Sequence, residues 1–560
     1  MSFGREKQVY SRKGMVVSTE HHASRTGVEI LRAGGNAIDA AVATAFAMAV
    51  SYPSCGNICG TGFMLYHGAD GNITTFDFRS VAPKAATMKM FLNENGEFRT
   101  SPLETVLSVG VPGTVAGMEV AHSRFGSLPW EQLLEPAIKL ASEGFLVDTR
   151  LHNEMKACEK TFKEYPSSAK VFLKEGGSFY KPGETLRQPD LAETIKRIQK
   201  HGAEDFYHGE AARMLVDFIQ EHGGIMTMKD LADYRVIERE PLKGKYRGYD
   251  VYTMKPPSSG VTLIEMLNIL EGYELRDIGH NSALYLHLLT EAMRLSQIDR
   301  IKYIGDPAFN PDIPVNRLIS KTYAAELRDQ INPEKSGVSN PKDILSQFES
   351  NETTHYSIVD REGNAVSVTY TINGDFGCEI VADGTGMVLN NEMDDFNCKP
   401  GVTDDRGNIG TIPNLIEPGK RPRSSMIPTV FSLENRPTLV LGSPGGTTIP
   451  NVVLQIALNF VDHGFDITEA VAAKRIHHSW MPDYTILEED VASDETLKKY
   501  KAMGHKIYDE ESCKELGLHY RSPQLGTAMC IHIDWENRIY YGAADPRSGD
   551  PSAFSVEQYD

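Results

Sequence analysis

Apolar residues recur at three- and four-residue intervals through 130–144, 188–201, 210–222, 262–272 and 282–304, and each stretch predicts an amphipathic helix. In the last, Leu284, Leu288, Ala292 and Leu295 share one face. Asn36, a candidate N-cap after Gly34-Gly35, opens an Ala-rich helix to Val50 whose small side chains suit close packing on a sheet. Short strands are expected at 63–67 and 74–78. From about residue 350 the pattern turns to β-type alternation. Residues 356–359 and 365–372 flank Asp360-Arg361-Glu362-Gly363-Asn364, which predicts a hairpin. Pairing Val359 with Ala365 fixes its register, and counting back sets Thr371 opposite Thr353, with Asn373 just beyond. Later, 439–441 predicts a strand ending in Gly442-Ser443-Pro444-Gly445-Gly446, before an amphipathic helix over Ile449–Val461. A further hairpin is expected from 529–533 and 538–541. Helices around antiparallel strands point to α+β layers.

Composition narrows the partners. The 560 residues carry 57 basic and 76 acidic side chains, a formal charge of −19, which argues against nucleic acid or anionic membrane as the main partner. The longest mostly apolar run, 37–50, contains Asp39 and is shorter than the ~20 residues of a bilayer span. The charged, polar first fourteen residues lack the apolar core of a secretory signal, so a cytoplasmic location is expected of the chain as it stands, and a periplasmic or extracellular one if a leader has been removed. Seven scattered cysteines fit reduced thiols, and Cys55 and Cys59 have no companion pair at zinc spacing. His477 and His478 are adjacent, so they point apart and are expected to be structural. Thr447-Thr448 after the Gly-rich turn supplies no Lys, which rejects a phosphate loop. Neither cofactor nor metal is expected.

Chemistry enters at Glu352-Thr353-Thr354-His355-Tyr356-Ser357. On propensity alone, a β-branched pair simply begins a strand. If the Glu352–Thr353 bond is broken, however, the new α-amino group has an intrinsic pKa near ~8 and lies beside the Thr353 hydroxyl, so one residue supplies base and nucleophile.

Thr353-Thr354-His355-Tyr356-Ser357, Asn390-Asn391-Glu392-Met393-Asp394-Asp395-Phe396, Arg421-Pro422-Arg423-Ser424-Ser425-Met426 and Gly442-Ser443-Pro444-Gly445-Gly446 together resemble the γ-glutamyltranspeptidase family. So do Gly34-Gly35-Asn36-Ala37, Asp77-Phe78-Arg79, Gly110-Val111-Pro112-Gly113-Thr114, Pro256-Pro257-Ser258-Ser259-Gly260 and Asp545-Pro546-Arg547-Ser548, so the likeness covers almost the whole chain. It implies an N-terminal-nucleophile hydrolase: a four-layer αββα sandwich, self-cleaved before Thr353 into a large part, 1–352, and a small part, 353–560. By proportion of 62.0 kDa these weigh roughly 39 and 23 kDa, and neither holds a complete core alone, so they form one globular unit. The resemblance implies that Thr353 attacks a γ-glutamyl amide such as glutathione and passes the acyl group to water or to an amino acid or peptide. Thr371 would orient the nucleophile, and the Gly445 and Gly446 N–H groups would hold the oxyanion. Arg79, with Ser424 and Ser425, would grip the α-carboxylate, and Asn373, Glu392 and Asp395 would accept from the α-ammonium.

Some positions depart from the family pattern. Cys59 and Thr61 interrupt a usual run of glycines, which is expected to reshape the pocket, and Glu379 stands where glycine is usual, adding charge close to Asn373. Residues 399–416 resemble a lid loop, with Arg406 where an aromatic gate is typical. Two other readings remain at this point: a glutaryl or cephalosporin-type acylase of the same superfamily, and an uncleaved amino-acid-binding homologue.

Overall fold

Side chains along a strand alternate between its two faces, and in this chain both faces of the central strands are apolar. The computed structural model describes residues 9–97, 105–339, 353–399, 401–402, 409–515, 523–548 and 552–555. One seven-stranded sheet has the order Ser552–Ser555, Met15–Ser18, Thr354–Val359, Ala365–Thr371, Thr61–His67, Ile73–Phe78, Ile237–Arg239. The other runs Val9–Ser11, Ile539–Ala544, Met529–Asp534, Arg436–Leu441, Thr429–Leu433, Tyr249–Thr253, Leu242–Tyr246. Neighbouring strands are antiparallel in both.

Val16, Met64, Ile358, Val366 and Val368 pack toward the helices His21–Arg32, Ala37–Ser51, Thr114–Phe125 and Trp130–Glu143. The alternate residues Met15, Val17, Phe63, Leu65, Val359 and Ala365 join Val251, Phe431, Leu439 and Ile531 of the second sheet in another core. That core extends to Leu263, Leu286 and Val453 on Gly260–Leu270, Ala283–Tyr303 and Ile449–Val461. The layers are therefore helix, sheet, sheet, helix, as expected. The Ala-rich helix is capped at Asn36 by a reciprocal box with Asp39, and all fifteen of its residues are buried. Its small side chains let the preceding helix approach so closely that a Cβ on Gly27 would lie 2.5 Å from the Thr44 hydroxyl. Among the described residues no helix is long and apolar enough to cross a membrane.

His477 and His478 diverge, as expected of adjacent residues: His477 Nδ1 meets the Asn451 side chain at 2.7 Å, and His478 Nδ1 accepts the Trp480 N–H at 3.0 Å. Burial pushes His477 down to about 3. The folded protein thus binds fewer protons than the unfolded chain between about pH 3 and the ordinary histidine value near 6.5. The stability held by the neutral ring is complete above that window and is lost as pH falls through it. Compared with wild type, His477→Gln is expected to flatten the fall of unfolding free energy between pH 6 and 4 by about 1.4 kcal/mol per pH unit. Urea melts check this, and parallel pH profiles for the two proteins would contradict it.

Candidate active site

The hairpin forms with the expected register: Val359 pairs with Ala365 and Thr354 with Tyr370. Carried one residue beyond the Thr354–Tyr370 pair, this register sets Thr353 opposite Thr371, which pairs on its other side with Thr61. Thr353 and Thr371 are both buried. Strand alternation puts Thr353 on the same face as His355, toward the second sheet. The His355 ring there packs so tightly on Gly442 that a Cβ at Gly442 would fall 2.1 Å from it. Gly442 begins the turn that leads to Gly445 and Gly446, so this contact brings the turn to the Thr353 end of the hairpin. Gly445 has φ 125 and Gly446 φ 52, backbone that glycine adopts without strain, and they open a short 3-10 turn running into Ile449–Val461. Burial holds His355 near 3, so it is neutral; Nδ1 contacts the Thr369 hydroxyl at 2.8 Å.

Beyond Thr371 the chain makes a crowded turn. The Thr371 hydroxyl accepts the Asn373 N–H at 2.8 Å, and the Asn373 amide donates to the Asn391 carbonyl at 3.1 Å, next to Glu392. Asn373, Phe376 and Glu379 all have positive φ, at 76, 54 and 64. Local strain of this kind gathers at functional segments. The positive φ explains why a glycine suits position 379. The Glu379 side chain does not simply add charge beside Asn373: it reaches Cys158, whose thiol is pushed up first by burial and then by Glu379. Glu379→Gly is expected to raise the unfolding free energy by about 1 kcal/mol. An unchanged or lower urea midpoint would count against the strain.

Arg79, Glu392 and Asp395 form one buried ion-paired group: Nη1 of Arg79 donates to Glu392 Oε2 and Nη2 to Asp395 Oδ2. Arg79 also donates from Nε to the Pro422 carbonyl and from Nη2 to the Arg423 carbonyl, each at 3.3 Å. Its own carbonyl accepts from the Tyr234 hydroxyl at 3.0 Å and from Arg421 Nη1 at 2.6 Å. Burial pushes the Glu392 carboxyl above its usual range against the pull of Arg79, and nearby Asp395 adds to the rise. Glu392 Oε1 is buried without a hydrogen-bond partner among the described residues, leaving an acceptor for an incoming donor.

Ser424 and Ser425 lie just after Arg423. The Ser424 hydroxyl accepts the Met426 N–H at 3.2 Å, and Ser425 accepts from Arg300 Nη2 at 2.9 Å. Arg300 also donates to Ser259 at 2.7 Å, and Ser259 donates to the Ser424 carbonyl at 2.7 Å.

Cys59 and Thr61 fit without opening the glycine segment. Thr61 donates to the Phe78 carbonyl at 3.1 Å and accepts the Ser80 N–H, tying its strand to the chain on either side of Arg79. The crowded positions are Gly60 and Gly62, where a Cβ would lie 2.3 Å from the Thr371 carbonyl and 2.5 Å from the Tyr370 Cβ. Sequence reasoning gave no role to Asn390, whose amide donates to the carbonyls of Cys59 and Gly110 at 2.8 and 2.9 Å. Nor did it find Asn414, which donates to the Asp395 carbonyl at 2.7 Å and accepts the Arg423 N–H at 2.8 Å. Asn390 and Arg421 stood inside the motifs that carried the resemblance, and Asn414 lay in the 399–416 stretch, where nothing set it apart from its neighbours. Glu352 and Arg406 lie outside the described residues.

A family model for gamma-glutamyltranspeptidase matches residues 23–554. The chain is 41% identical to the glutathione hydrolase proenzyme of Escherichia coli (strain K12), over 98% of this chain and 94% of that protein. Among solved structures it is similar to the cephalosporin acylase from Bacillus halodurans, with a TM-score of 0.86 and 28% identity over 99% of this chain and 98% of that one. It is also similar to the gamma-glutamyltranspeptidase of Helicobacter pylori, with a TM-score of 0.57 and 42% identity over 58% of this chain and 94% of that one.

Proposed function

The chain belongs to the gamma-glutamyltranspeptidase family, and on that premise we propose that it is a self-processing γ-glutamyltransferase and glutathione hydrolase, cut between Glu352 and Thr353. The Thr353 hydroxyl attacks the γ-carbonyl while its α-amino group takes the hydroxyl proton and returns it to the departing amine. Thr371, opposite in the hairpin, orients that hydroxyl. The N–H groups of Gly445 and Gly446 hold the tetrahedral oxyanion, a contribution of roughly 10²–10³ in rate per donor. An acyl ester on Thr353 remains, which water or an acceptor amine resolves.

The α-carboxylate binds Arg79 with Ser424 and Ser425, and the α-ammonium binds Asn373, Glu392 and Asp395. The single observation that carries this reading is the buried Arg79–Glu392–Asp395 group with a vacant acceptor at Glu392 Oε1. A glutaryl ligand offers no ammonium to Glu392 Oε1, which would stay buried without a donor. We read 1–352 and 353–560 as one globular unit after cleavage. The interleaving supports this, since Thr354–Val359 and Ala365–Thr371 lie between Met15–Ser18 and Thr61–His67.

The likeness to a cephalosporin acylase keeps amide-side-chain hydrolysis as the competing reading. Incubation with a γ-glutamyl anilide and its glutaryl counterpart, with and without a dipeptide, separates the two. The γ-glutamyl compound is expected to be favoured by at least about 10²-fold in kcat/KM. Equal or faster turnover of the glutaryl compound would instead establish the acylase.

A further inference from the structure

Two peptide units carry the N–H groups of Gly445 and Gly446, and glycine leaves both units free to turn over. In a planar trans peptide the C=O and the following N–H point to opposite sides. Turning such a unit over changes only the torsions that flank it, and at Gly445 and Gly446, with φ 125 and 52, no Cβ opposes either setting. A unit turned the wrong way would present a carbonyl oxygen where an oxyanion needs a donor. In this turn, however, each carbonyl is tied by a hydroxyl. Ser443, fully buried, donates to the Pro444 carbonyl at 2.7 Å, and that carbonyl shares its peptide unit with the Gly445 N–H. The Thr448 hydroxyl donates to the Gly445 carbonyl at 2.8 Å, and that unit carries the Gly446 N–H. The Thr448 N–H joins it on the same oxygen at 3.0 Å. The N–H groups of Gly445 and Gly446 themselves meet no acceptor among the described residues.

The surroundings preserve both ties. A Cβ on Gly526 would lie 2.6 Å from the Ser443 Oγ and 2.8 Å from the Pro444 oxygen, so the chain at Gly526 packs directly on that bond. It is held there through Leu525, whose N–H donates to Glu488 at 3.1 Å and whose carbonyl accepts from Arg475 at 2.8 Å. A Cβ on Gly445 would lie 2.5 Å from the Thr448 Oγ1, so glycine at 445 is what lets that hydroxyl come so near. We propose that Ser443 and Thr448 are positioning residues, whose hydroxyls hold the Pro444–Gly445 and Gly445–Gly446 peptides in the orientation that offers both N–H groups to the oxyanion. This rests on the proposed function above, in which those two N–H groups stabilise the tetrahedral state. Neither hydroxyl touches the substrate; each removes a freedom that glycine brings, so that the donors are in place before charge develops.

The test compares two inhibitors of γ-glutamyl anilide turnover. A boronic acid analogue of the γ-glutamyl group takes the Thr353 oxygen onto boron as a tetrahedral anion, whereas L-glutamate fills the pocket without forming an oxyanion. The readout is the ratio of the two inhibition constants within each protein, which cancels incomplete folding or maturation. Thr448→Val and Ser443→Ala are each expected to weaken the boronate by about 10-fold relative to glutamate, and to lower kcat with little change in KM. Thr448→Ser, which keeps the hydroxyl, is expected to match wild type. An unchanged ratio in both Thr448→Val and Ser443→Ala overturns the proposal, and with a wild type that turns over the anilide it leaves the proposed function standing. An unchanged ratio in one of them withdraws that hydroxyl. Thr448→Ser as impaired as Thr448→Val would withdraw Thr448, because the loss would then come from packing. A wild type that neither turns over the anilide nor binds the boronate would overturn both readings.

Discussion

Thr353→Ala is expected to leave a single 62.0 kDa chain after prolonged incubation and to lower turnover of a γ-glutamyl anilide by roughly 10⁴-fold or more. On the proposed mechanism, removing the hydroxyl takes away both the group that would break the Glu352–Thr353 bond and the nucleophile that the break would activate. Thr353 lies just before the Thr354–Val359 strand, and Ala keeps its Cβ while removing only the hydroxyl and one methyl, so the variant is expected to fold and to keep its thermal transition. Thr353→Ser retains a hydroxyl beside an α-amino group and is expected to mature and turn over, more slowly. Gels over time and steady-state rates check both. Processing or near-normal turnover in a folded Thr353→Ala protein would remove Thr353 from the mechanism.

The second large effect lies at Arg79. Its guanidinium is fully buried and is the cation paired directly with Glu392 and Asp395. Arg79→Ala leaves both carboxylates inside the protein facing a void, and breaking a buried pair in this way typically costs about 3–5 kcal/mol of stability. The variant therefore confounds stability with binding. Arg79→Lys keeps a positive charge and relieves much of that cost, but a point charge cannot serve two carboxylates and an incoming carboxylate with a planar fork. In Arg79→Lys, KM for the γ-glutamyl anilide is expected to rise by roughly 10²-fold, with a smaller change in kcat. Urea melts show whether each variant is folded at the assay temperature. Unchanged KM in folded Arg79→Lys and Arg79→Ala would withdraw the glutamyl pocket.

Much of the layer structure was legible because its causes are local. The reciprocal cap at Asn36, the Ile449–Val461 helix and the hairpin turn at 360–364 are each specified by neighbouring residues. Register then placed Thr371 opposite Thr353 by counting alone. The edge strand Leu242–Tyr246 and its neighbour Tyr249–Thr253 were not legible, since Gly244 at the centre of Leu242-Lys243-Gly244-Lys245-Tyr246 leaves only the two ends of the inward face apolar. Their pairing to Thr429–Leu433 is a long-range fact that no window of sequence contains.

The site shows the same division. Motif identity named Arg79, Glu392 and Asp395, with Arg79 at the carboxylate end of a ligand and the two acids at its ammonium end. Folding brings all three into direct contact, a pairing across more than 300 residues of chain. Asn414, which fastens the Asp395 and Arg423 backbones together, is one asparagine among many in the sequence and becomes distinctive only through its partners. Glu379 departs from the family pattern in a way the sequence shows, whereas its positive φ and its contact with Cys158 required the fold.

The direct test is the covalent state of active protein. Intact-mass measurement and N-terminal sequencing of material that turns over a γ-glutamyl anilide should find two fragments, 1–352 and 353–560, the second beginning at Thr353. Full activity in an unbroken chain, or a new N-terminus at another residue, would contradict the account.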